Sequence, residues 1–216
     1  GDSKFISNPN CTTAVLAMPL YPIYQKYGLK KVIVSTYQAT SGGGLEAMQE
    51  LEEQTKNYLA EEEVLNNKFA HPIPFNLIPA IDVFQENGYT KEEMKVTWET
   101  QKIFGNKDLA LSCTAVRIPT FRAHAESVTI ETEKPINPED IRSLLAGVDG
   151  VKVVDTPETH GYPMPLTASE NFDVEVGRIR KNQVFGDYGL DFFICGDQLL
   201  RGAAYNAVRI AEKIWK

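Results

Sequence analysis

Ser7-Asn8-Pro9-Asn10-Cys11-Thr12-Thr13 puts a thiol near the start of a 216-residue chain. Pro9 and Asn10 make a tight turn, and Ala14-Val15-Leu16-Ala17-Met18 continues as the apolar opening of a helix. Cys11 is thereby expected at a helix N-terminus, where unpaired N–H groups and the helix dipole favour thiolate over thiol. A lone cysteine is more often a small buried hydrophobe, so the residues downstream must decide its role.

Working outward, Gly28 ends this helix and Lys31–Gln38 reads as a buried strand. Ser41-Gly42-Gly43-Gly44 forms a loop, and Leu45–Leu59 follows as an acidic amphipathic helix. Regular signals fade from Ala60 to Tyr89, where His71-Pro72-Ile73-Pro74 breaks structure. The stretch is too apolar for a solvated linker, so function or an interface is expected there. Lys91–Phe104 reads as a helix, and Leu109–Pro119 and Ala123–Glu133 as strands. A helix starts near Pro138, with Asn137 as its N-cap. Short strands are expected at Val151–Val154, Phe172–Arg180 and Leu190–Cys195. Gly196-Asp197 then opens a last helix running to about Trp215. The pattern is α+β, a mixed sheet with helices on one face.

Composition narrows the classes. A net charge of -7, with no long basic cluster, argues against nucleic acid. No apolar run approaches about 18 residues, so no membrane span is expected, and the polar Gly1–Lys4 cannot form a signal-peptide core. The lack of an initiator Met points to a processed or engineered N-terminus. Cys11, Cys113 and Cys195 are odd in number and widely spaced, a pattern of the reducing cytoplasm and not of a disulfide framework or a metal site. No Gly-x-Gly-x-x-Gly follows a strand, so no dinucleotide fingerprint is present.

Several side chains carry chemistry on physical grounds. Alternation along its strand puts Arg117 on one face with Leu111, Cys113 and Ala115, where a charge needs a carboxylate, from the protein or a ligand. His124 follows seven residues later, and an imidazole suits proton transfer near neutrality. Of the other histidines, His71 precedes Pro72 and reads as structural, and His160 lies in a Gly/Pro-rich loop. Glu99 and Lys102 stand three apart on one helix face, a spacing usual in solvated ion pairs. Successive glycines at 42–44 let a backbone approach a ligand closely.

Taken in order, five motifs from Asn8 to about Lys213 resemble aspartate-semialdehyde dehydrogenase. They are the segment around Cys11, Val34–Gly44, Trp98–Lys102, Val116–Thr120 with His124, and Gly196–Ala204. Gly43 replaces a frequent alanine, a mild departure. N-acetyl-glutamyl-phosphate reductase fits less well, normally having glycine where Asn10 stands. Glyceraldehyde-phosphate dehydrogenase shares Cys-Thr-Thr but not the Arg117/His124 spacing.

The resemblance implies a glyceraldehyde-phosphate-dehydrogenase-like C-terminal domain. It implies Cys11 as nucleophile, His124 as acid–base group and Gln38 as substrate-orienting group. Arg117 would clamp the substrate carboxylate, Glu99 its amino group and Lys102 a phosphate, with Asn10 also binding substrate. Ser41, Gly42, Gly43 and Gln198 would face NADP. Residues 1–195 would form the catalytic and dimerisation domain. Residues 196–216 would pack, through Leu199, Ala203, Ala207, Ile210 and Ile214, against an N-terminal Rossmann domain that this chain lacks. The implied reaction interconverts L-4-aspartyl phosphate with L-aspartate 4-semialdehyde and phosphate, in a cytoplasmic homodimer or tetramer serving lysine, threonine and methionine biosynthesis. The chain alone is expected to be inactive or nearly so, and the contrasting reading is an inert dimerisation or binding module.

Overall fold

The computed structural model describes residues 5–215; Gly1–Lys4, read above as polar, lie outside the described residues. Helix α1 (Cys11–Tyr27) begins where Asn10 caps it, Oδ1 accepting the N–H groups of Thr12 and Thr13 at 3.0 and 3.2 Å. Gly28, at φ 69°, turns the chain out of α1 and into β1 (Lys31–Gln38). The glycine-rich stretch winds into a short 3₁₀ turn, Thr40–Gly43, before α2 (Leu45–Leu59). Helix α3 (Lys91–Phe104) starts at a capping box in which Thr90 and Glu93 satisfy each other's backbone N–H groups.

Strands β2 (Ala110–Arg117) and β3 (His124–Glu131) follow, then α4 (Pro138–Ala146) capped by Asn137, and β4 (Val151–Val153). A single turn, α5 (Pro165–Ala168), precedes β5 (Val174–Lys181) and β6 (Gly189–Gly196). The six strands lie in the order β2-β1-β3-β6-β5-β4. The two outer pairs, β1–β2 and β4–β5, are parallel, while β3 and β6 run antiparallel to their neighbours. The fold is therefore α+β with a mixed sheet.

One face of the sheet carries the core. Val32, Val34, Val128, Ile130, Leu190, Phe192 and Ile194 pack with Val15, Leu16, Leu20 and Ile23 of α1, Val96 and Phe104 of α3, and Ile141 and Leu145 of α4. On the opposite face Ala168 of α5 covers Ala125 and Cys195 beside Tyr37 and Phe193. Ile33, farther along that face, stays 47% exposed.

Residues 60–89 contain no helix or strand among the described residues, yet they are tied down. Glu50 of α2 accepts N–H bonds from Asn67, Lys68 and Phe69, and Gln54 engages Leu65, Asn66 and Ile73. Ile78 bridges to Arg117, so the segment ends beside β2.

The last helix departs from the reading of the sequence. Gly196 pairs with His124 and so extends β6, and Asp197 is a buried anchor. Its carboxylate accepts the N–H groups of Leu199, Leu200 and Glu170 and pairs with Arg122 Nε at 2.6 Å. The chain then makes a π-helical turn, Leu200–Ala204, and only afterwards becomes α6 (Tyr205–Ile214). No residue of α6 is buried, and Leu199, Ala207 and Ile214 are exposed. Among the described residues no helix is long and apolar enough to cross a membrane.

Candidate active site

The C-terminal ends of β1 and β2 and the first residue of β3 meet the start of α1. They deliver Gln38, Arg117 and His124 to the region around Cys11. Gln38 is fully buried: Nε2 donates to Glu92 Oε1 at 3.2 Å, and Oε1 accepts from Thr36 Oγ1 at 3.0 Å. Asn10 Nδ2 reaches the same Glu92 oxygen at 2.9 Å, and Asn10 N–H donates to Glu99 Oε2 at 2.7 Å. Asn10 is thus occupied by capping α1 and holding two carboxylates.

Glu92 is the residue that sequence reasoning missed. It is nearly buried, binds Gln38 and Asn10, and receives Lys95 Nζ at 3.4 Å; Lys95 also pairs with Asp82 at 3.0 Å. Glu92 and Lys95 have the same i,i+3 spacing as Glu99 and Lys102, seven residues earlier on α3. Spacing alone cannot choose between the two pairs; Glu92 is the one that hydrogen-bonds Gln38. Glu99 accepts the Asn10 backbone N–H, and it and the exposed Lys102 line a groove of 490 Å³ with Ser7, Met18, Ile103 and Ile210.

Arg117 is 7% exposed and donates through Nη1 to the Ala39 carbonyl at 2.6 Å. Burial lowers its pKa, while Glu92 and the Cys11 thiol oppose that shift. It lines a cleft of 490 Å³ with Gly43, Lys68, His71 and Asp82, so the long 60–89 segment reaches the site's edge. His124 is fully buried. Its Nδ1 accepts the Ala39 N–H at 3.1 Å, which leaves the proton of a neutral ring on Nε2, and that nitrogen has no partner. Burial first, and then Arg117, push its pKa down to about 3. The imidazole is therefore neutral throughout the physiological range.

The thiol does not behave as its helix position implied. Burial, and secondarily Glu92, raise Cys11 to about 11, outweighing the hydrogen bonds at Thr12 and the charge of Arg117. The resting group is a thiol, because a desolvated anion beside a carboxylate costs more than one helix terminus returns. Cys113 and Cys195 are buried, and their thiols are pushed up as well.

The glycine turn divides into parts. A Cβ on Gly42 would lie 2.9 Å from Arg117 Nη1 and 3.1 Å from His124 Nε2, so its bare Cα keeps that space open. Gly43 is required by packing, its Cβ position being 2.9 Å from Ala47. Ser41 and Gln198, expected to face a nicotinamide, are both buried and hydrogen-bonded to each other. Among the described residues no cluster of His, Cys, Asp and Glu is arranged to hold a metal ion.

The class these features define is an α+β domain whose mixed sheet gathers a cysteine, a neutral histidine and a buried arginine at one end. Residues 20–201 match the family model described as semialdehyde dehydrogenase, dimerisation domain, and the chain belongs to that family. It is 49% identical over 98% of its length to an aspartate-semialdehyde dehydrogenase of Aquifex aeolicus, and covers 62% of that protein. A Bacillus subtilis protein of the same name is 47% identical over 98% of this chain, which covers 63% of it. The structure superposes with a TM-score of 0.93 on aspartate semialdehyde dehydrogenase II complexed with ASA from Vibrio cholerae. That protein is 40% identical, over 96% of this chain and 61% of its own. The chain thus spans somewhat over three fifths of the relatives it matches.

Proposed function

We propose that this chain is the catalytic and dimerisation portion of an NADP-dependent aspartate-semialdehyde dehydrogenase. In this reading the enzyme is cytoplasmic and serves lysine, threonine and methionine biosynthesis. Residues 1–195 are the catalytic and dimerisation domain, and residues 196–216, which carry α6, dock on the cofactor-binding part. The observation that carries the reading is the convergence of Gln38, Glu92, Arg117 and the unpartnered His124 Nε2 on the Cys11 helix terminus.

The residues divide the work by charge. Arg117 offers a planar fork to the substrate α-carboxylate, through the opening that Gly42 leaves clear. Glu92 binds the substrate ammonium, and Lys95 supplies the adjacent positive charge for phosphate; this moves two roles from Glu99 and Lys102. An ammonium at Glu92 also cancels the carboxylate charge that holds the Cys11 thiol up. Substrate binding thereby removes one of the two causes that raise the thiol, burial remaining the larger.

In the biosynthetic direction Cys11 sulfur attacks the acyl carbon of L-4-aspartyl phosphate. A carbon–sulfur bond forms as the thiol gives up its proton, the carbon–oxygen bond to phosphate breaks, and inorganic phosphate leaves with the electron pair and takes up that proton. His124 Nε2–H donates to the carbonyl oxygen as negative charge develops on it. In the reverse sense Cys11 adds to the aldehyde as a thiohemiacetal. NADP, when bound, supplies a hydride acceptor or donor. Ser41, Gly42, Gly43 and Gln198 would face it, with Ser41 and Gln198 hydrogen-bonded to each other.

Acylation needs no cofactor, and this allows a test on the chain as it stands. L-4-aspartyl phosphate should release one equivalent of phosphate and add an aspartyl mass to Cys11, and Cys11→Ser should do neither. A wild-type chain that binds the acyl phosphate but forms no adduct would instead be the inert module. NADP-dependent turnover on supplying the portion of the longer relatives that this chain does not cover would then separate the complete reaction from acylation alone.

A further inference from the structure

The turn leaving β6 reaches back to the imidazole. Gln198 is 2% exposed, and both ends of its amide are used inside the protein. Oε1 accepts the Ala123 N–H at 2.9 Å, and Nε2 donates to Ser41 Oγ. Ala123 is fully buried and sits at φ 68°, a left-handed conformation uncommon for a residue with a side chain. It immediately precedes His124. A main-chain N–H buried in such a bend needs a partner, and Gln198 is that partner.

The second end of the amide reaches the turn beside the same ring. Ser41 belongs to the 3₁₀ turn that follows Ala39, and the Ala39 N–H is what occupies His124 Nδ1. One side chain therefore ties the backbone bend that delivers the imidazole to the turn that fixes its tautomer. Asp197 holds this turn from behind, through Leu199, Leu200, Glu170 and Arg122.

We propose that Gln198 is the positioning residue for His124, a strut that keeps Nε2–H directed at the space beside Arg117 and Gly42. Its catalytic meaning rests on His124 being the proton donor of the proposed reaction, whereas its test reads the ring itself.

Histidine side-chain ¹⁵N–¹H correlation spectra of this chain provide that test, with His124 assigned by its loss in His124→Asn. The wild type should show a single Nε2–H tautomer that stays neutral across the physiological range. In Gln198→Ala the His124 signals should broaden into a mixture of tautomers and the ring should titrate closer to an ordinary imidazole, with His71 and His160 unchanged. Gln198→Glu, which retains an acceptor for Ala123, should restore the wild-type pattern. A folded Gln198→Ala with wild-type His124 signals overturns the proposal. Should Gln198→Ala fail to fold, Ser41→Ala cuts one end of the strut: displaced His124 signals uphold the proposal and unmoved ones overturn it. Because turnover is not measured, failure of the strut is distinguishable from failure of the reaction.

Discussion

At the scale of single residues, two buried carboxylates have measurable consequences, Glu92 for the Cys11 thiol and Glu126 for the stability of the fold. Glu92 helps hold the Cys11 thiol near 11, so removing its charge should release the thiol downward. Glu92→Gln is expected to speed iodoacetamide alkylation of Cys11 at pH 8 by about tenfold for each unit the thiol falls. The alkylation pH profile should shift to lower pH, and an unmoved profile would mean that burial alone sets the thiol. Glu126 presents the opposite problem: it lies fully buried opposite Thr36 and Ile194, and neither carboxylate oxygen has a partner. Desolvation raises its pKa well above the usual value. The folded state thus holds a proton that the unfolded chain gives up above about pH 4.3, and stability falls as pH rises through that window. Glu126→Gln should raise the thermal midpoint by a few degrees, about 2–4 °C for each kcal/mol recovered. The gain should be larger at pH 8 than at pH 5, and equal gains would show that Glu126 is already ionised in the fold. Cys11, Arg117 and His124 stood out by residue type and position, and Gln38 through the resemblance of the motif that holds it. Glu92 and Glu126 did not, because a buried carboxylate looks like any surface glutamate until packing removes its water.

Elements were legible where local rules and packing agree. Strand β1 and helices α2 and α3 fall at the expected bounds, since alternation, the capping box and the amphipathic face all point the same way. The entry to the last helix was misread because Gly196-Asp197 resembles a helix start, while its backbone is claimed by the ladder with His124. The π turn that follows has a consequence for the nucleophile. A Cβ on Gly202 would sit 2.9 Å from Cys11 Cβ and 3.2 Å from Cys11 Cα. Turns of this type accumulate at functional sites because they shift one residue's reach by a fraction of a turn. Gly202→Ala should destabilise by about 1–3 kcal/mol through overpacking and change the Cys11 alkylation rate. Gly147→Ala, whose Cβ would make only a 3.6 Å contact with Leu144 O, serves as the control. Equal thermal midpoints for the two variants would show that α1 yields freely and that Gly202 does not seat the cysteine.

At the scale of the molecule, what stays uncovered follows from the topology. Helices α1, α3 and α4 shield one face of the sheet, and a four-residue helix shields only one end of the other. Antiparallel strands tolerate one wet face, but wet faces are usually lined by polar residues in alternation. Here Ser35, Ser127 and Thr129 are interspersed with the exposed Ile33 and the half-buried Tyr37 and Phe193. That mixture resembles an interface more than a solvated surface, and it agrees with membership of a dimerisation-domain family. The exposed apolar side chains of the 60–89 segment, among them Phe75, Leu77, Val83 and Phe84, extend the uncovered area. Sequence could flag that segment as too apolar for a linker, but not which sheet face lies open, since a face is defined only once register is set. Light scattering at several concentrations should find the chain as a dimer. Ile33→Asp should shift it to monomer, because a carboxylate at the middle of a self-paired sheet face is buried twice without a partner. The Cys11 alkylation rate should stay unchanged, as Ile33 points away from the helical face. A dimer that withstands Ile33→Asp but is lost in Phe84→Asp would move the interface from the sheet to the long segment.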